Sequence, residues 1–321
     1  MLCPRVYLMN LRFIKNNTPK VWKWRPEGVK GAIGKPPCRA RRREIPCARR
    51  KSIMYCDTIN LPHCQMTVYI PDLVADPAVR RPTIVIAPGG GYTHLSTREG
   101  EPIALTFAAM GMNAVVVRYR VAPAVFPAPM QDIASAVAAI RQNADNWHAD
   151  PNQIALCGFS AGAHAVGLLG VHWQEAHWWQ EMHLTSADVR PNALILSYPV
   201  ITAGEFAHRG SFRSLTGTDD IAAHQPHSLE NLVTPDTPPT FLWHTWTDGA
   251  VPVENTLLMA MALHKAGVLA EVHVFPRGGH GVALGNQVTN IPSEEARKIV
   301  PEATVWTEMA ARFIRQIFTK S

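Results

Sequence analysis

Residues 153–164 read QIALCGFSAGAH, and this stretch decides how the rest of the chain can be interpreted. The apolar run from Ile154 to Cys157 is followed by glycine and alanine on either side of Ser160. Small side chains let a strand turn sharply into a helix, because they allow backbones to approach closely. The same turn, with the spacing G-x-S-x-G, can also hold a serine hydroxyl up as a nucleophile. The stretch alone leaves both interpretations open.

Strand and helix patterns alternate along the chain from Met54 onward. Short apolar runs predict strands: QMTVYIPD, RPTIVIAPGGG, MNAVVVRYRVAP, residues 152–158, NALILSYPV, PTFLWHTWTD and LAEVHVFPRG. The segments between or after them predict helices: EPIALTFAAMG, MQDIASAVAAIRQNA, AGAHAVGLLGVHW, ENTLLMAMALHKAG and EATVWTEMAARFIRQIF. This alternation is typical of an α/β fold with a mostly parallel central sheet and helices on both faces. Functional groups are then expected at the carboxyl ends of the strands.

Charge divides the 321-residue chain into two regions. Residues 1–53 contain 15 Lys and Arg against 2 Asp and Glu, whereas residues 54–321 contain 16 against 23. The net charge of +6 therefore comes from the first region alone. We interpret 54–321 as one α/β domain that should fold and work without the basic leader, residues 1–53.

The leader has no helical or strand periodicity, which predicts disorder or an extension upstream of the true start at Met54. A basic arm for nucleic acid or membrane is the alternative. The apolar residues of VYLMNLRFI are interrupted by Asn10 and Arg12, so a signal peptide is poorly supported. The six cysteines have no zinc-site spacing, which favours a reduced protein without disulfides. We expect a cytoplasmic protein that binds neither nucleic acid nor membrane.

Three glycines, Gly89 to Gly91, follow the strand TIVIA. They can form a simple turn, or they can aim backbone N–H groups at a developing negative charge, as an oxyanion hole requires. A phosphate-binding loop is disfavoured, because neither the G-x-G-x-x-G spacing nor a G-x-x-x-x-G-K-[ST] motif occurs there.

Two more candidate groups follow later strands. Asp248 ends the strand TFLWHTWT, and His280 lies between glycines after the strand EVHVF. A lone aspartate after a strand is often a turn or cap, and most histidines have no catalytic role. However, the chain order Ser160, Asp248, His280 is the order of nucleophile, acid and base in α/β-hydrolases, and it differs from the trypsin and subtilisin orders. We therefore interpret the three as a catalytic triad.

The stretch HWQEAHWWQEMH looks like a metal-binding cluster, but its spacing argues against one. On a helix, His172 and His177 would lie about 140° apart around the axis, and no H-E-x-x-H pattern is present. A solvated helix end with tryptophan packing is the simpler interpretation. Trp173, Trp178 and Trp179 could form a sugar-stacking surface, although aromatic residues more often fill a core.

The segments PGGGY, GFSAGAH, WHTWTDGAVPVENT and GGHG resemble the acetyl- and feruloyl-ester-cleaving branch of the α/β-hydrolase superfamily, which is related to the hormone-sensitive-lipase group. The resemblance spans residues 62–318 and includes EGEPIA, VVRYRVAP and SFRSLTG. It implies Ser160 as nucleophile, His280 as base and Asp248 as the residue that orients the base. It also implies an oxyanion hole formed by the backbone N–H groups of Gly90, Gly91 and Ala161. Pro88 departs from the H-G-G-G of the lipase group, which leaves the main-chain donors unaffected.

The expected activity is hydrolysis of short acyl esters through an acyl-enzyme, without cofactor or metal. The expected substrate is a small-molecule or oligosaccharide ester of plant-cell-wall carbohydrate, with acetyl first and feruloyl second. Residues 202–237 are polar and irregular and contain no amphipathic helix, so we interpret them as a small cap or lid insertion. A prolyl-oligopeptidase-type serine peptidase, a general carboxylesterase and a non-catalytic binding protein remain as alternatives.

Overall fold

The computed structural model describes residues 54–72, 78–290 and 299–319. The strands are β1 Met54–Asn60, β2 Gln65–Pro71, β3 Arg81–Ala87, β4 Asn113–Arg118, β5 Ala149–Phe159, β6 Ala193–Ser197, β7 Thr240–Thr245 and β8 Ala270–Phe275. The α-helices are α1 Glu101–Ala109, α2 Ala128–Gln142, α3 Ala161–His172, α4 Ser186–Val189, α5 Arg209–Thr216, α6 Ile221–His224, α7 Glu254–Lys265 and α8 Trp306–Thr319. The basic leader lies outside the described residues.

Within the described residues, the eight strands form one sheet in the order β1-β2-β4-β3-β5-β6-β7-β8. The pairs β1–β2 and β2–β4 are antiparallel, and every other neighbouring pair is parallel. The predicted mostly parallel sheet is therefore confirmed. Strand β1 was not predicted. Most of its residues are exposed, polar Asp57, Thr58 and Asn60 interrupt its apolar residues, and it pairs only with β2 at the edge of the sheet.

Helices cover both faces of the sheet, as predicted. Along β3, Ile84 and Ile86 pack into the core shared with α1 and α8, whereas Val85 packs into the core shared with α2 and α3. Successive side chains of a strand point to opposite faces, so an unbroken apolar run is what a strand buried on both faces requires. Both layers support the loops at the carboxyl ends of the strands.

The junction between β5 and α3 is the tightest point of the fold. Ser160 is the single residue between the two elements, and its φ of 53° is left-handed. A Cβ at Gly158 would lie 2.4 Å from the carbonyl oxygen of Gly162, and a Cβ at Gly162 would lie 2.2 Å from that of Ala87. Both glycines are therefore required by close backbone approach, and Gly162 also holds the start of α3 against the end of β3.

The segment 202–237 is more ordered than its sequence suggests. The expectation of an irregular segment without an amphipathic helix is wrong, because α5 buries Phe212 and Leu215 on one side while Arg209 and Arg213 stay at its outer side. The helix has only two turns, so its apolar spacing is too short to stand out in a polar sequence. No helix among the described residues is both long enough and apolar enough to span a membrane.

The close approach at Gly162 predicts a large stability effect. Gly162→Ala would place a methyl group against the Ala87 carbonyl, so we expect the free energy of unfolding to fall by about 2 kcal/mol or more. Gly249→Ala is the matched control, because a Cβ there has no heavy atom within 4 Å. Urea denaturation followed by circular dichroism measures both. Equal midpoints for the two variants would contradict the packing argument.

Candidate active site

The structure brings Ser160, His280 and Asp248 into one hydrogen-bonded line. Ser160 Oγ lies 2.7 Å from His280 Nε2, and His280 Nδ1 lies 2.7 Å from Asp248 Oδ2. A carboxylate can only accept, so Nδ1 carries the proton and Nε2 accepts from the serine hydroxyl. The Asp248 side chain is fully buried, whereas the His280 side chain is 25% exposed. The base can therefore be reached from solvent while its acidic partner is shielded.

Asp248 is held as an anion by its donors. Its Oδ1 accepts the backbone N–H groups of Ala250 at 2.9 Å and Val251 at 3.0 Å. Burial alone would raise the pKa of Asp248, but hydrogen bonds from His244, His280 and the Ala250 N–H outweigh it and lower the pKa well below its usual value. The carboxylate is therefore charged across the physiological pH range.

His244 is a second histidine on the same carboxylate. Its Nε2 lies 3.0 Å from the Val251 carbonyl oxygen and 3.3 Å from Asp248 Oδ2, and its Nδ1 lies 2.8 Å from Thr256 Oγ1. Two acceptors on one side require a proton on Nε2, and the Thr256 hydroxyl holds the opposite nitrogen of the ring. This fully buried ring thus fixes the turn that carries Asp248.

The glycine-rich loop lies beside Ser160, and its three N–H groups differ in their partners. Gly89 donates its N–H to Glu99 Oε2 at 2.8 Å. Neither Gly90 nor Gly91 donates its backbone N–H to another group in the described part of the chain. Both have positive φ, and a Cβ at Gly90 would lie 2.1 Å from the His94 carbonyl oxygen, so this loop needs glycine there.

Ala161 is the first residue of α3, where the N–H has no partner within the helix. The positive end of the helix dipole and the two glycine N–H groups can therefore stabilise an anion formed at Ser160. The residues expected to form an oxyanion hole thus lie on the two chain segments that adjoin the serine.

His164 connects the same loop to α3. Its Nδ1 lies 2.8 Å from the Tyr92 hydroxyl and its Nε2 lies 2.8 Å from the His227 carbonyl oxygen. Burial lowers the pKa of His164 to about 3, so the ring is neutral and accepts at Nδ1 while it donates at Nε2. Tyr92, the residue after the glycines, is therefore fixed to α3, the helix that follows Ser160.

A cleft of about 600 Å³ opens at Ser160. The glycine-rich loop forms one side, and the segment 202–237 supplies His208, Gly210, Arg213 and Ser214 to another. Burial, followed by the nearby His280, lowers the pKa of His208. The predicted cap segment thus contributes directly to the cleft, and its contribution is polar.

Sequence reasoning gave no role to four buried side chains around the site. These are Tyr92, Glu99, Tyr198 and His244. Glu99 and Tyr198 occur in the quoted segments EGEPIA and NALILSYPV, but only the fold reveals that they contact each other. His244 carried a usable signal, because a histidine inside the apolar strand PTFLWHT must find hydrogen-bond partners.

The tryptophans and histidines of residues 172–183 do not line this cleft. Trp179 is fully buried and donates to the Trp173 carbonyl oxygen, and Trp178 packs edge-on against Phe126. His172 contacts Glu175 at 2.6 Å. Across the described residues, no three His, Cys, Asp or Glu side chains are grouped as a metal site.

Comparison with known proteins identifies the family. The BD-FAE family model matches residues 66–263, which is more than half of the chain. The chain belongs to the BD-FAE family. The predicted resemblance to ester-cleaving α/β-hydrolases is therefore confirmed.

Two relatives of this BD-FAE chain are proteins named for activity on xylan. Endo-1,4-beta-xylanase B of Butyrivibrio fibrisolvens is 39% identical over 228 residues, which cover 68% of this chain and 35% of the relative. An acetylxylan esterase of Xylanibacter ruminicola is 31% identical over 228 residues, which cover 69% of this chain and 44% of the relative. The chain thus spans less than half the length of these relatives.

Solved structures of similar proteins confirm the α/β-hydrolase fold. An acetyl ester-xyloside bifunctional hydrolase from Caldicellulosiruptor lactoaceticus matches with a TM-score of 0.67 and 37% identity, over 79% of this chain and 88% of that one. A carboxylesterase from Lactobacillus plantarum matches with a TM-score of 0.72 and 32% identity, over 82% and 97% of the two chains.

The lowered pKa of Asp248 predicts a pH dependence of stability. Because its folded pKa lies below the unfolded value, the ionised group stabilises the fold above pH about 4 and loses that contribution as the pH falls towards the folded value. We expect Asp248→Asn to lower the free energy of unfolding more at pH 7 than at pH 3. Denaturant unfolding at both pH values measures this.

The exposed Asp236 provides the control, since Asp236→Asn should have the same small effect at both pH values. A penalty for Asp248→Asn that did not change with pH would contradict the assigned charge state.

Proposed function

We propose that the protein is a serine carboxylic-ester hydrolase in which Ser160 is the nucleophile, His280 the general base and acid, and Asp248 the group that orients the imidazole. One observation carries the proposal: two 2.7 Å hydrogen bonds join Asp248 to His280 and His280 to Ser160 at the base of an open cleft. The order and geometry match the requirements for nucleophilic acyl transfer.

In the first step, Ser160 Oγ attacks the ester carbonyl carbon and its proton passes to His280 Nε2. The carbonyl oxygen becomes an oxyanion, which accepts from the N–H groups of Gly90, Gly91 and Ala161. The intermediate collapses, the C–O bond to the alcohol breaks, and His280 returns the proton to the leaving alkoxide oxygen. This leaves an acyl group on Ser160.

In the second step, water attacks the acyl carbon and gives a proton to His280 Nε2. Collapse of this second tetrahedral intermediate releases the acid, and the proton returns to Ser160 Oγ. Asp248 keeps Nδ1 protonated and stabilises the positive imidazolium in both steps. Every proton transfer in the two steps therefore passes through His280 Nε2.

We propose short acyl esters of carbohydrate as substrates, with acetyl esters first and feruloyl esters second. The named relatives and neighbours act as a precedent, since they include an acetylxylan esterase and an acetyl ester-xyloside hydrolase. The cleft supports the same choice, because its wall residues from 202–237 are polar and can form hydrogen bonds with sugar hydroxyls.

Substitutions in the triad test the mechanism. Ser160→Ala and His280→Ala should each lower kcat by about 10⁶, and Asp248→Asn should also lower kcat by several orders of magnitude, though by less than these two. Hydrolysis of nitrophenyl acetate and labelling by a serine-directed phosphonate provide the readouts, with circular dichroism as the check on folding. Ser160→Ala with more than a few per cent of wild-type turnover would contradict the assignment.

A chain-length series tests the substrate. We expect kcat/KM to fall from nitrophenyl acetate through butyrate and octanoate to palmitate, because a polar cleft gives little of the roughly 0.8 kcal/mol that each buried methylene could contribute. Acetate release from acetylated xylan, compared with Ser160→Ala, is the second measurement. Activity that rises towards octanoate without acetate release would indicate a general carboxylesterase. Cleavage of a proline-peptide anilide in place of esters would favour the peptidase alternative.

A further inference from the structure

Glu99 is a buried carboxylate whose two oxygens contact two different catalytic loops. It is only 3% exposed. Oε2 accepts the Gly89 N–H at 2.8 Å, and Oε1 accepts the Tyr198 hydroxyl at 2.7 Å. A carboxylate removed from water is costly unless donors satisfy its oxygens, and here the donors come from the glycine-rich loop and from the residue after β6.

Tyr198 extends this connection to the loop that carries the base. Its hydroxyl oxygen accepts the backbone N–H of Ala283 at 3.0 Å, three residues after His280. Its ring packs edge-on against the His280 imidazole, with centroids 5.2 Å apart. Through one tyrosine, the carboxylate is therefore connected both to the position of the imidazole and to the backbone that follows it.

The same arrangement also determines which glycine N–H groups remain available. Gly89 gives its N–H to Glu99, whereas Gly90 and Gly91 donate to no group within the described residues. Space around Gly89 is tight as well: a Cβ there would lie 2.9 Å from Glu99 Oε2 and 3.0 Å from the Ser160 Cβ. The carboxylate thus anchors the first glycine directly behind the nucleophile.

We propose that Glu99 is a positioning residue that holds the Gly89–Gly91 loop and, through Tyr198, the His280 loop in the relative geometry that the reaction requires. This inference rests on the proposed ester hydrolysis for its kinetic consequences. The carboxylate does not stabilise the oxyanion, because a negative charge would oppose it. Its contribution is to fix the positions of the Gly90 and Gly91 N–H groups in one loop and of the His280 imidazole in the other.

Two substitutions separate hydrogen bonding from charge and volume. Glu99→Gln can still accept the Gly89 N–H with Oε1, and its amide group can donate to the Tyr198 oxygen. Glu99→Met has similar length but can do neither. We expect Glu99→Met to lower kcat by about tenfold to hundredfold with KM within about twofold, and Glu99→Gln to stay within about fivefold of wild type. Tyr198→Phe should lower kcat by about tenfold.

All rates are expressed per active site titrated with a phosphonate, which removes any effect of a smaller folded fraction. Affinity for a trifluoromethyl ketone, whose adduct with Ser160 carries an oxyanion, should weaken in parallel with kcat. Asp132→Asn is the matched control, since Asp132 is also a buried carboxylate but pairs with Arg120. Its kcat per active site should equal that of wild type.

Hydrogen exchange provides a readout that does not depend on catalysis. Glu99→Met should increase exchange in peptides that contain Gly89–Gly91 and in peptides that contain His280–Ala283, whereas Tyr198→Phe should affect mainly the second group. Absence of Ser160-dependent hydrolysis by the wild type, together with these exchange changes, would overturn the proposed function but support the positioning role.

The inference itself is overturned by any of three results. These are Glu99→Met or Tyr198→Phe with kcat and exchange unchanged, Glu99→Gln as impaired as Glu99→Met, or a loss of kcat without weaker binding of the ketone. Should Glu99→Met fail to fold, Tyr198→Phe decides: a tenfold lower kcat with looser His280–Ala283 exchange supports the inference, and wild-type values overturn it.

Discussion

Ser160 is the single residue between the buried strand β5 and helix α3, and its backbone is left-handed. This sharp turn is possible because Gly158 and Gly162 have no side chains and allow the main chains to approach closely. This close approach brings the start of α3 against the end of β3, which is where the glycine-rich loop begins. The nucleophile and the loop N–H groups are therefore neighbours as a consequence of packing. A side chain at Gly162 would collide with the backbone at the end of β3 and would push α3 away from that strand.

Much of this arrangement could be predicted from the sequence, because parallel strands end at the same edge of the sheet. Ser160, Asp248 and His280 each follow an apolar run, so their proximity followed from the fold class without any knowledge of contacts. The glycines were identifiable for the same reason. What the strand pattern could not supply was the difference between Gly89, which donates to Glu99, and the two glycines after it.

The missed features share a physical cause: their stability comes from partners distant in sequence. Strand β1 is largely exposed and has no unbroken apolar run, and it is a strand because β2 offers an edge with which it can pair. Helix α5 is short and polar, and it is ordered by the burial of Phe212 and Leu215. Glutamate side chains are mostly exposed in folded proteins, so nothing in the sequence indicates that Glu99 lies in the interior. The fold buries it between the Gly89 N–H and the hydroxyl of Tyr198, which lies 99 residues away in the sequence.

Two buried carboxylates therefore lie near one serine, and their partners give them different effects. Asp248 faces two imidazoles, so its charge can stabilise the imidazolium that forms whenever His280 takes a proton. Glu99 faces a backbone N–H and a phenol, neither of which changes charge in the proposed reaction. Asp248 thus favours proton transfer to His280 directly, whereas the two hydrogen-bond partners of Glu99 keep the same charge throughout the proposed reaction. Glu99 can therefore order the N–H groups of the glycine-rich loop without competing for the proton that His280 takes from Ser160.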